Sequence, residues 1–345
     1  MKYTLLITIF MTICCANSNA QDPVFTQYFL VPETLNPGFT AYLDTWHAGI
    51  LHRTQWPDGD RRIDTEYAFV NAAIGDFAGL GITILNHREK FTGYNYLQIN
   101  GAYSYKVELN DEWSFRPGIE AGYGQKSYGF GGLLLEDQIN INTGEISDGS
   151  VDPGVMNYSS KINFFDVSAG FVVDKEDAWF GASLKHLNRP GISFTESGNV
   201  PLEMLLSVHG GYAFNIYGTR FMFLPEETKL LLTGNYLMQS EYNRFDLGSA
   251  LVFEMFTFGA TAATNPGRKS SNSHFVTSVN AFGSVQVDHF IIGGSYDLNT
   301  SRLGNTRGIF ELSLTWQLDF NYKCWGCPNY QVQLRKGGRA GYQRR

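Results

Sequence analysis

The chain has 345 residues, room for one large domain or two small ones. Its formal net charge of −7 argues against nucleic acid as a partner, and beyond residue 20 no run of about eighteen apolar residues offers a transmembrane helix. Aromatic residues make up 15% and charged residues only 17%, with 37 glycines. An exported chain of this kind points to a membrane β-barrel.

Residues 1–20, MKYTLLITIFMTICCANSNA, carry a basic start at Lys2 and an apolar run from Leu5 to Ile13. They end in the small residues Ser18, Asn19 and Ala20. This reads as a secretory signal peptide, expected to be removed and set aside for the fold. Cys14 and Cys15 raise lipid attachment, but Ile13 stands where that signal needs a small residue. Residues 21–44 open with QDPVFTQYFLVPETLNPGFT, where Pro23, Pro32 and Pro37 rule out a helix or an interior strand. Phe25, Tyr28, Phe29, Leu30 and Phe39 need burial, so the segment is expected to pack as a plug into the lower lumen of a barrel. A disordered leader is the competing reading, and this apolar content opposes it.

From residue 45 to 320 the chain reads as strands of about ten residues with period-two alternation. The predicted strands are 45–56, 61–72, 77–87, 93–107, 112–128, 161–174, 177–188, 204–217, 228–240, 242–253, 255–264, 273–284, 286–298 and 307–320. That is an antiparallel all-β barrel of about 14 strands, an even number as in bacterial outer membranes. In 308–320, Phe310, Leu312, Leu314, Trp316, Leu318 and Phe320 share one face. Glu311, Ser313, Thr315, Gln317 and Asp319 share the other. Leu97, Ile99, Tyr103 and Tyr105 oppose Gln98, Asn100, Ser104 and Lys106, and Leu80, Ile82 and Ile84 oppose Gly81 and Thr83. An aromatic Phe320 at the end of the last strand also suits recognition by barrel-insertion machinery. Short periplasmic turns are expected at 72–76, 109–112, 174–177, 253–255 and 282–284, with a longer one at 218–227. Long outer loops are expected at 129–160, 188–203, 265–273 and 299–307. Trp46, Trp56, Trp113, Trp179 and Trp316 lie near strand ends and are expected to form aromatic girdles in outer-membrane lipid.

With this frame the opening segment resembles the N-terminal signature of the PorP/SprF family of type IX secretion system membrane proteins. The matching residues are Gln21, Asp22, Pro23, Phe25, Thr26, Gln27, Tyr28, Pro32, Asn36, Pro37 and Gly38. HRTQWP, 52–57, is similar to a second family motif, with Gln55, Trp56 and Pro57 matching and His52 in place of the usual aromatic. GLGITILNHREKFTG, 79–93, resembles a glycine-flanked strand and turn, without the family's Asp. FGASLKHLNRP, 180–190, is similar to a strand that ends in His186 and Pro190. KCWGCPNY resembles the family's Cys-Pro tail. The resemblance implies an integral outer-membrane barrel of the Bacteroidota. It would work with the C-terminal domain of a secreted protein, such as a gliding-motility adhesin, or with subunits of the periplasmic secretion core.

The tail, 321–345, holds Lys323, Arg335, Lys336, Arg339, Arg344 and Arg345 and no acid. It could dock an acidic partner subunit or a phosphate-bearing polymer of the envelope, or serve as a disordered solubilising tail. Cys324 and Cys327 read as a structural disulfide closing a tight loop, since no thioredoxin-like βαβ pattern surrounds them. Zinc would need two further ligands, and the tail has no His. Asp148, Ser150 and Asp152 loosely suggest calcium, but EF-hand order and a closing Glu are absent, so a solvated loop is expected. His52, His87 and His186 fall near outer strand ends. A surface hydrolase built on them would need a Gly-x-Ser-x-Gly elbow or a His-Glu-x-x-His pair, and neither is present. No catalytic, cofactor or metal residue is therefore expected. The sequence reads as a non-enzymatic partner barrel of type IX secretion that assists export or surface attachment of a secreted protein. The alternative is an outer-membrane channel or hydrophobic-solute transporter.

Overall fold

The structure, a computed structural model, describes residues 22–57, 59–129, 136–140, 143–147, 160–195, 198, 200–216, 228–267, 275–300 and 307–318. The leader, Gln21, Phe320, the Cys324–Cys327 pair, the basic tail and the Asp148–Asp152 stretch lie outside these residues.

Antiparallel pairing runs unbroken around a ring. In chain order the strands are β1 (His47–Gln55), β2 (Ile63–Ile74), β3 (Ala78–Glu89), β4 (Asn95–Tyr105), β5 (Val107–Glu108), β6 (Ser114–Ser127), β7 (Lys161–Lys175) and β8 (Ala178–Lys185). They continue as β9 (Leu205–Asn215), β10 (Lys229–Gln239), β11 (Tyr242–Phe253), β12 (Phe256–Thr264), β13 (Val276–Val287), β14 (Phe290–Asn299) and β15 (Ile309–Gln317). β5 prolongs β4 across Lys106, and both pair with β6, so the wall has 14 strands. β1 pairs with β15, His47 opposite Gln317 and Gln55 opposite Ile309, which closes the barrel. An even count is what lets the first and last strands meet antiparallel.

The wall is inside-out relative to a soluble protein. On β15, Glu311, Ser313, Thr315 and Gln317 are buried, while Leu312 is 65% exposed and Phe310 and Leu314 are exposed beside it. The same inversion places Gln98, Asn100, Ser104 and Lys106 inside β4 and its extension, with Ile99, Tyr103 and Tyr105 outside. Alternation along each strand sets polar residues toward the lumen and apolar ones toward lipid. This is the wall of an outer-membrane barrel, as the sequence pattern predicts.

One end carries short turns at 75–77, 109–113, 176–177, 254–255 and 288–289, and the other carries the loops 128–160, 186–204, 265–275 and 300–308. Two expectations need correction. The turn expected at 282–284 is interior to β13, and the reversal comes at Asp288-His289, where Asp288 adopts φ 53°. Gly283 suggested a turn, yet alternation continues past it: Phe282, Ser284 and Gln286 face in and Val287 faces out. Gly283 instead leaves room for the ring of Phe258 on β12. Trp179 is not a girdle residue. Phe180 takes the outward position, so Trp179 faces in, its ring 5.6 Å from Phe39 and 5.3 Å from His209.

Candidate functional site: the lumen segment and the vestibule above it

Residues 22–45 run inside this wall. Their prolines break regular structure into two short 3-10 turns, Pro32–Thr34 and Pro37–Phe39, each with proline at its start, where a missing N–H costs nothing. Asn36 caps the second turn by accepting a hydrogen bond from Gly38 N at 2.8 Å. Because the segment forms no strand, its side chains and loose backbone groups pair with inward-facing residues of the wall.

Those pairings step down the lumen. At the long-loop end Asp22 N donates to Gln239 Oε1 at 2.9 Å, and the Asp22 carboxylate meets His186 Nε2 at 2.5 Å. His186 Nδ1 lies 2.9 Å from Asp166 Oδ2, so the ring is held between two carboxylates. Next, the backbone N–H groups of Thr26 and Gln27 donate to the Glu311 carboxylate at 2.9 Å each, and Arg53 pairs with the same group. Gln27 Nε2 donates to Glu311 O and Ser313 Oγ donates back to Gln27 Oε1 at 2.6 Å, while Tyr28 OH pairs with Thr233 Oγ1 on β10 at 3.2 Å.

Lower down, Lys185 Nζ donates to Thr34 O at 2.7 Å and Ser183 Oγ to Leu35 O at 2.6 Å. Asn36 Nδ2 reaches Phe171 O and Ala182 O at 2.8 and 3.1 Å. Near the short-turn end Asp44 binds Lys106 Nζ at 2.8 Å and Arg116 Nη1 at 3.1 Å. The segment thus spans the lumen from the long-loop end at Asp22 to the short-turn end at Asp44, where the lower lumen alone was expected. Its aromatic residues account for the apolar residues that interrupt the polar interior. Phe25, Phe29, Leu30 and Val31 pack with Tyr67, Leu231, Phe282 and Ile291, and the Phe29 and Phe282 rings are 4.2 Å apart.

Burial opposes both charges at the upper tie, and the pairing outweighs it. Burial works against the Asp22 carboxylate, but the charge and hydrogen bond of His186, with Lys126 and Lys185, hold it down at about 2. Burial likewise works against the imidazolium, yet Asp22 and Asp166 raise His186 to about 9. At neutral pH both ring nitrogens of His186 therefore carry protons and donate, one to each carboxylate.

Asp22, Pro23 and Val24 form the floor of a vestibule of about 730 Å³ at the long-loop end. Its wall includes Arg53, Gln55, Tyr94, Tyr96, Lys126, Tyr242 and Arg244. Among the residues singled out from sequence, Phe25, Gln27, Tyr28, Pro32, Asn36 and Pro37 lie within the lumen with Asp22. His186 joins them from just beyond β8. Gln55 lies at the vestibule, with Trp56 and Pro57 following at the end of β1. Pro190 accepts from Leu202 N in the loop after His186, and Trp316 lies on the outer face of β15, opposite Phe290. Sequence reading missed Asp166, Lys126, Arg53 and Arg244. Each is a polar residue in an otherwise alternating strand, so strand parity was the available signal. Among the described residues no cluster of His, Cys, Asp and Glu is suited to a metal ion.

No curated protein matches the chain. Solved structures similar to it include the TodX deltaS2S3 mutant monoaromatic hydrocarbon channel, with TM-score 0.45 and 10% identity over 87% of this chain and 95% of that one. A Pseudomonas aeruginosa FadL homologue gives 0.41 and 13% over 82% and 93%. The Acinetobacter baumannii outer membrane protein Omp33 gives 0.40 and 8% over 79% and 98%. The family model for the type IX secretion system membrane protein PorP/SprF matches residues 17–316, and the chain belongs to that family.

Proposed function

We propose that this outer-membrane barrel is a non-enzymatic partner protein of type IX secretion. It binds a secreted protein's C-terminal domain, or subunits of the periplasmic secretion core, and so assists export or surface attachment. The observation that carries the reading is the course of residues 22–44 inside the barrel, with Asp22, Gln27, Asn36 and Asp44 tied to the wall at successive depths, which supports a built-in plug. A lumen occupied in this way favours function through protein contacts over diffusion of solutes. The family's membership of a secretion system supports the same reading.

The test is a mild-detergent pull-down of the tagged barrel from its native envelope, with co-purifying proteins identified by mass spectrometry. Recovery of a secreted protein's C-terminal domain or of periplasmic secretion subunits is the expected result. A solitary barrel that conducts ions in a planar bilayer would overturn the reading in favour of a channel.

A further inference from the structure

We propose that the basic segment 323–345 docks on its own barrel, in an acidic cavity at the short-turn rim beside the Asp44 anchor of the lumen segment. This interaction surface does not depend on which partner the barrel binds.

A cavity of about 1140 Å³ lies at that rim, between the turns 109–113 and 176–177 and the ends of β9 and β10. Its lining holds six carboxylates, Glu108, Asp111, Glu112, Asp174, Glu176 and Asp177, against two cations, Lys175 and Lys229. Lys175 is bound to Asp177 at 2.9 Å. Asp111, Glu112 and Glu176 are exposed turn residues, and among the described residues none has a cation within ion-pair distance. The vestibule at the other end has the opposite balance, with Arg53, Lys126 and Arg244 against Asp22 and Glu89. The excess of negative charge thus belongs to the short-turn end.

One member of the cluster points to a missing donor. Asp174, at the end of β7, lines the cavity and is only 5% exposed, yet its Oδ1 accepts no hydrogen bond. Arg116 holds Nε 3.5 Å from that oxygen, while its two Nη atoms donate to Asp44 at 3.1 and 3.5 Å. A buried carboxylate oxygen without a donor is costly, and a basic side chain entering the cavity supplies one.

Charge and the exit point of the chain fix the occupant. Gln317 stands opposite His47, and Leu318 N bonds to Trp46 O at 3.1 Å, so the chain leaves β15 at this same end. Residues 323–345 carry Lys323, Arg335, Lys336, Arg339, Arg344 and Arg345 and no acid. A barrel of fourteen strands is roughly 30 Å across, and residues 319–334 span about 50 Å when extended. The cations from Arg335 onward therefore reach the cavity from β15. Phe214 on the cavity wall is exposed and offers a ring face to a guanidinium. A divalent ion fits less well, since among the described residues no group of His, Cys, Asp and Glu is placed to hold one.

The test uses the purified full-length barrel in detergent at low ionic strength. A carbodiimide condenses Lys336 Nζ with a carboxylate in contact with it, forming an amide, while the carbodiimide takes up the water lost and becomes a urea. The joined peptides are identified by mass spectrometry, with a mixture of isotopically light and heavy protein separating links within one molecule from links between two. Links within one molecule to Asp111, Glu112 or Glu176 are expected, falling about tenfold in roughly 0.5 M salt as the charges are screened. Trypsin should cut after Arg335, Lys336 and Arg339 about fivefold more slowly than in a free synthetic peptide of residues 328–345. The combined variant Asp111→Asn, Glu112→Gln and Glu176→Gln, confined to exposed turn positions, should remove that protection. The docking is overturned by any of four results: no link from Lys336, links spread equally over Asp76, Glu254 and Asp288 on other turns of the rim, links between molecules only, or protection that survives the variant. The cross-linking needs no variant, so it decides the matter even if the triple variant misfolds.

Discussion

His186 shows how much one side chain near a strand end can decide. Protonated, it bridges Asp166 of the wall to Asp22 of the lumen segment. The groups that act on it are Asp22 and Asp166, and Lys126 and Lys185 act in turn on Asp22. Its pKa is raised from 6.5 to about 9, so its contribution is fully present below about 6.5 and lost as pH rises through 9. The Asp22 pKa is lowered from 3.8 to about 2, so that contribution is present above 3.8 and lost as pH falls through 2. The upper tie is therefore tightest between about pH 4 and 6.5. A Val24→Cys variant, with its iodoacetamide labelling rate divided at each pH by that of the urea-unfolded protein to remove the dependence on thiol ionisation, should be protected in that window and lose the protection above pH 9. His186→Ala should leave two buried carboxylates facing each other and cost about 3–5 kcal/mol of the tie, read as faster labelling of the same cysteine at neutral pH. Asn36→Ala removes donors to the Phe171 and Ala182 carbonyls and the acceptor for Gly38 N. It should lower stability by about 1–3 kcal/mol in a urea titration. From sequence alone, Asn36 before Pro37 signals a turn, but its reach to β7 and β8 depends on contacts between residues more than 130 positions apart.

At the scale of the element, period-two alternation made the strands legible, because lipid outside and polar groups inside force it on every residue of the wall. The predicted edges fall within a few residues of the observed ones except around 284–290. There Gly283 looked like punctuation, and its actual service, making room for Phe258, could be seen only once β12 lay beside it. The lumen segment was legible as proline-broken and in need of burial. Its full path was not, since no periodicity marks how deep a non-strand segment runs. The same alternation predicts unequal costs for neighbours on β15 and β14. Leu312→Arg, on the lipid face, should cost about 2–4 kcal/mol in refolding into bilayers if it lies near the midplane. Ser295→Ala, on β14 inside the lumen, removes only one hydroxyl from a Glu311 network that keeps its Arg53, Thr26 and Gln27 partners, and should cost less than about 1.5 kcal/mol.

Across the whole molecule the segment touches the wall on many sides: β2 through Asn71, β4 through Ser104, β6 through Arg116, β8 through Ser183, β10 through Thr233 and β15 through Glu311. Deleting residues 22–44 should therefore do two things at once. It should produce step conductance in a planar bilayer where the intact protein is silent, and it should lower the temperature at which the barrel loses its compact form on an unheated gel. A deletion variant that stays silent would mean that something other than this segment closes the lumen.

The direction of the lumen segment also sets the sides of the barrel on which residues 22 and 318 lie. Fourteen strands alone would return a chain to the side on which it began. The descent from Asp22 to Asp44 through the interior adds one more crossing and makes the total odd. Residue 22 and residue 318 consequently lie toward opposite ends of the barrel. An epitope placed just before Asp22 would be readable by antibody on intact cells, while one placed just after Leu318 would be hidden until the envelope is opened.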